Sequence, residues 1–81
     1  MDIREKLAEA QHFIWSYWME YLFRCCTMNS DGSATIPAEK VERWKRQIST
    51  PYSELTNKEQ ESDRHSADTV FLVIKNHAPG K

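Results

Sequence analysis

From Asp2 to Thr27 the chain runs without a glycine or a proline. A stretch of that length with no helix breaker predicts one long helix over residues 2 to about 27. Ile3, Leu7, Ala10, Ile14, Trp18, Tyr21 and Cys25 recur at spacings of three and four and form a core stripe. A second apolar strip runs beside it through Ala8, Trp15, Met19, Leu22 and Cys26, while the polar line is Glu5, Glu9, His12, Ser16 and Glu20. The helix is therefore apolar over more of its circumference than a surface helix needs. Eighty-one residues fill one core at most, so the surplus asks for a second packing partner. A homodimer or higher homo-oligomer is the first expectation.

The rest of the chain divides at turn signals. MNSDGSATIP, residues 28–37, is a loop in which Asp31-Gly32 reverses the chain and Pro37 suits the first turn of a new helix. A second helix is expected over 37–48, with Val41, Trp44 and Ile48 on its apolar face and Lys40, Arg43, Lys45 and Arg46 around them. Ser49-Thr50-Pro51 ends it. Thr56-Asn-Lys-Glu59 reads as a capping box and opens a third helix over 57–76, followed by a frayed tail at 77–81. The β-branched run TVFLVI leaves a short strand in the C-terminal part as the alternative. The fold class is all-α, a single small domain of about three helices.

In the third helix Ala67, Val70 or Phe71, and Ile74 mark the expected buried stripe. Stepping back by threes and fours continues it onto Gln60, Asp63 and Arg64. Polar groups facing a core need partners, and Tyr52, the indoles of Trp15, Trp18 and Trp44, Glu20, Arg24 and Arg43 are the candidates. Two readings stay open. Either the stripe emerges from the core and these side chains are solvated, or an Arg-bearing wall faces aromatic rings and binds a phosphate or nucleotide.

Composition narrows the function classes. Lys and Arg total 11 against 12 for Asp and Glu, so no global basic field favours nucleic acid or anionic lipid. No apolar run approaches the ~20 residues of a membrane span, and MDIREKLAEA is charged and alternating, unlike a signal peptide. A cytoplasmic protein is expected. Cys25 and Cys26 are adjacent, poor geometry for a mutual disulfide, and read as reduced thiols. His12, His65 and His77 share no metal-ligand spacing with them, and neither a Gly-rich phosphate loop nor a nucleophile elbow occurs. No metal, cofactor or catalytic activity is expected.

Pro51-Tyr52, Leu55, Gln60 and Asp63-Arg64 resemble the signature P-Y-x-x-L-x-x-x-x-K-x-x-D-R of the ryanodine-receptor repeat domain, with Gln60 standing where that family has lysine. More widely, IWSYWMEYLF, DGSATIPAEKVERWKRQ, TPYSEL and ESDRHSAD resemble small proteins of bacteriophages and prophages. The resemblance implies a compact helical fold in which Tyr52, Asp63 and Arg64 serve a site or its scaffold. It also implies a sensor or sponge for nucleotide-derived signals, ADP-ribose-like or cyclic, that blocks host antiviral defence. A small-ligand binder on this pattern would set Arg64, Arg43 or Arg24 on phosphates and Trp15, Trp18, Trp44 or Tyr52 on rings, with Asp63 also a candidate binding residue. The alternative is a protein-interaction module working through the surplus apolar strip of the first helix.

Overall fold

The computed structural model describes residues 2–77. Helix α1 spans Ile3–Cys25, so the breaker-free stretch is helical almost to its end. Asp2 caps it, its carboxylate accepting from the Glu5 N–H at 2.9 Å. The next segment forms a two-stranded antiparallel hairpin, β1 Thr27–Met28 and β2 Ala34–Thr35, where the sequence predicted an irregular loop. Its turn centres on Gly32, whose φ of 91° is a conformation that only glycine adopts freely. Asp31 holds the turn by accepting from the Ser33 N–H and hydroxyl, and Asn29 donates to Ser33 and Thr35. Those bonds to Ser33, side chain first and then backbone, hold the Asp31 carboxyl below its ordinary value.

Helix α2 spans Ala38–Ile48, beginning one residue after Pro37, which occupies the cap position. A single 3-10 turn at Tyr52–Glu54 leads to α3, Asn57–Asn76, which starts with the expected capping box between Thr56 and Glu59. The run TVFLVI lies inside α3 and is helical; the strands are in the α1–α2 connection instead. Three helices with one small hairpin make a mostly α bundle. Of the tail expected to fray, His77 is the C-cap of α3, and residues 78–81 lie outside those described.

α1 and α3 pack antiparallel: Trp18 of α1 donates its indole N–H to the Ser66 hydroxyl at 3.3 Å, while Lys6 and Glu9 lie beside Leu72, Val73 and Asn76. This contact corrects the phase expected for α3. The face turned to α1 carries Ser62, Ser66, Thr69 and Val73, all half-buried, whereas Asp63, Arg64, Ala67, Phe71 and Ile74 are exposed. The reason is steric. α1 presents the bulky side chains Trp18 and Tyr21, so the facing helix must be small there, and the hydroxyl of Ser66 accepts from the indole N–H. Small, mostly polar residues thus occupy the seam with Val73, and Ala67, Phe71 and Ile74 are left outside, while Gln60 and Val70 of the expected stripe are half-buried.

α2 is placed by Trp44 and Val41, both half-buried; Ile48, expected on the same face, is 85% exposed, and Gln47 takes the inward position instead. Arg46 of α2 forms an ion pair with Glu59 at the start of α3, and Arg43 donates to the Tyr21 hydroxyl of α1 at 3.1 Å. Among the described residues only Ala10, 7% exposed, is buried. The radius of gyration is 16.4 Å, with extents of 53 × 35 × 16 Å, against about 12 Å for a compact chain of this length. No helix among the described residues is long and apolar enough to cross a membrane.

Candidate functional site

Where α2 crosses α1 and α3, the three helices enclose a cleft of about 570 Å³. α1 lends it Tyr17, Trp18 and Tyr21, consecutive on one helical face at spacings of one, three and four. α2 adds Arg43, Trp44, Arg46 and Gln47, and the start of α3 adds Lys58, Glu59 and Ser62 beside the cap residue Thr56. A smaller hollow of about 470 Å³ continues it past Tyr17 and Trp18 towards Asn57, Glu61 and His65.

The aromatic residues are mutually braced. Tyr17 and Tyr21 both meet Trp18 edge-on, with ring centroids 5.3 and 5.7 Å away, and Trp44 lies 6.5 Å from Tyr21. Edge-on packing sets the edge of one ring against the face of the other, and Tyr17 and Trp18 keep 48% and 36% of their surface exposed to receive a planar group. The cations differ in their commitments. Arg46 is spent on Glu59, whose carboxyl it holds below its ordinary value, helped by the Thr56 N–H and opposed by desolvation. Arg43 is anchored by a neutral hydroxyl, and neither it nor Lys58 takes part in an ion pair among the described residues. The cleft thus combines ring faces with two cations not neutralised by a carboxylate partner. That combination suits an anionic molecule bearing a flat ring.

Of the residues expected to bind ligand, Trp18, Arg43 and Trp44 meet in this cleft. The others do not line it. Trp15 is exposed and stacks on His12 one helical turn earlier, ring centroids 5.9 Å apart. Arg24 is exposed in the last turn of α1. Tyr52, Gln60 and Arg64 form a brace of their own: the Gln60 amide donates to the Tyr52 carbonyl at 2.8 Å, and Arg64 donates to Gln60 at 3.2 Å and to Glu61 at 3.0 Å. The bond to Glu61, with Tyr52 alongside, raises the Arg64 guanidinium above its ordinary value. These residues fasten the 3-10 turn to α3. Asp63 is exposed, with no side-chain hydrogen bond or ion pair among the described residues.

Sequence reasoning did not name Tyr17, Tyr21, Arg46, Gln47, Thr56, Lys58, Glu59 or Ser62 as binding residues. Tyr17 had a local signal, lying four residues before Tyr21 and next to Trp18. The Arg46–Glu59 pair had none, since it exists only once α2 is folded across α3. Among the described residues no group of three His, Cys, Asp or Glu side chains is placed to hold a metal ion. Comparison with known protein families, with curated proteins and with solved structures gave no match.

Proposed function

We propose that the three-helix cleft binds a nucleotide-derived small molecule and that the protein withholds this signal from its receptor without transforming it. The observation that carries the reading is the pairing of Trp18 and Trp44 with Arg43 and Lys58 around one cleft. Ring faces take a base, and guanidinium and ammonium take phosphate. The resemblance to the ryanodine-receptor repeat supplies the biological use, a phage protein acting in the bacterial cytoplasm against a defence signal of the ADP-ribose or cyclic-nucleotide type. A homodimer is its working unit, the second copy covering apolar surface that one chain leaves open.

Mass spectrometry of small molecules released from purified protein, followed by calorimetry with a nucleotide panel, tests this reading. Arg43→Ala and Trp44→Ala should each weaken binding by about tenfold or more, with the fold retained by circular dichroism. Absence of heat and of thermal shift with every nucleotide at high micromolar concentration would refute it.

The exposed indole of Trp15 favours a second reading, in which the outer strip of α1 holds a protein partner. Met19, in that strip, is half-buried, so Trp15 would carry most of the contact. Trp15→Ala should then abolish partner binding while leaving nucleotide affinity unchanged.

A further inference from the structure

The stripe Ala67–Phe71–Ile74 of α3 has the periodicity of a buried face but lies on the surface, with Phe71 61% exposed. By helical phase it looks away from the Ser62–Ser66–Thr69 seam and continues, past half-buried Val70, to the flank of α1 that carries Trp15. Lys6 and Glu9, on the other side of α1, adjoin Leu72 and Asn76, which fixes Trp15 and Ile74 to the same flank. We propose that a second copy of this chain covers this flank, its α3 lying antiparallel along α3 of the first, about a twofold axis between Phe71 and Leu72.

Three observations select a second copy. First, the chain exposes 6663 Å², about 1,600 Å² more than a compact monomer of its mass. An obligate homodimer covers about 1,000–2,500 Å² per chain. Secondly, with Ala10 alone buried among the described residues, the apolar shortfall belongs to folding itself. The cover must be present whenever the chain folds, a condition that another copy meets. Thirdly, the edge of the stripe is self-complementary. Asp68 and Lys75 are seven residues apart on one side of Phe71, both exposed and without an ion pair among the described residues. Antiparallel pairing about that axis sets Asp68 opposite the partner's Lys75, and the twofold makes the match twice.

The inference rests on the homodimeric reading above and adds a surface and a register to it. Sedimentation equilibrium of the full chain should give twice the 9.6 kDa chain mass, with a thermal midpoint that rises with protein concentration. Asp68→Lys alone and Lys75→Asp alone should each raise the dimer dissociation constant by about tenfold at low salt, since two attractive pairs become repulsive. The double variant D68K/K75D should restore it. Phe71→Asp should abolish the dimer, and because that change can also prevent folding, the charge exchange on exposed positions decides the matter. A folded monomer at all concentrations would overturn both the homodimer and this surface. A dimer indifferent to both charge reversals would overturn the surface and register while sparing the homodimer.

Discussion

Arg64 shows how a residue conspicuous in a motif can serve the scaffold. Its guanidinium reaches Glu61 and Gln60, and Gln60 in turn holds the Tyr52 carbonyl, so the positive charge is engaged on the outer surface of α3. Arg64→Ala should therefore leave nucleotide affinity within about twofold of the parent, because Arg64 does not line the cleft and its guanidinium is engaged by Glu61 and Gln60. Calorimetry beside Arg43→Ala checks this. Gly32 makes the complementary case, a residue without chemistry that a turn requires. With φ at 91° and open space around it, Gly32→Ala meets no clash, only backbone strain of about 1 kcal/mol. Amide exchange should report it as about fivefold faster exchange at the Asn29 N–H, which closes the turn onto the Ser33 carbonyl.

Among the elements, α3 is the most informative. Its start was legible because a capping box is local chemistry, Thr56 and Glu59 satisfying each other's backbone N–H groups. Thr56→Ala should cost about 1 kcal/mol, visible as a lower urea midpoint at unchanged slope. Its rotation was not legible. Apolar periodicity pointed Phe71 and Ile74 inward, but rotation is decided by what the neighbouring helix presents, and α1 presents an indole that needs a small residue and an acceptor opposite it. Glu59 also joins two elements, since the carboxylate that serves the cap is held by Arg46 of α2. The depressed pKa of Glu59 means that this contribution is present above its ordinary value of 4.5 and is lost as pH falls through the lower, folded value. Acid should loosen α2 before the helices melt, seen as a red shift of Trp44 emission in a variant with the other two tryptophans replaced by phenylalanine. In Glu59→Gln that early step should be missing.

For the whole molecule, class and the order of the three helices could be read from sequence, but the hairpin between the first two could not. Breakers and caps act within a few residues, so Asp31-Gly32, Pro37, Pro51 and Thr56 marked their boundaries, whereas the capping role of Asp2 was not read. The cleft was half legible. Trp18, Arg43 and Trp44 were visible as aromatic and cationic side chains, but bringing them together depends on how α2 crosses the α1–α3 pair, which no short spacing encodes. The spread of the chain, 53 Å along its longest axis, also has a measurable consequence. Protection from hydrogen exchange should peak around Ala10–Ile14 and Val70–Val73, where the long helices meet, and fall towards α2 and the hairpin. Dissociation of the proposed homodimer should remove most of it.

Because the cleft takes a wall from each of the three helices, seating α2 and filling the cleft are one equilibrium viewed from two ends. Whatever factor a ligand gains from α2 being closed, it returns as tighter closure of α2, by reciprocity of coupled equilibria. Mutations in α2 that touch no ligand, at exposed Ile48 in its last turn for instance, can then retune affinity simply by changing how often the door stands shut.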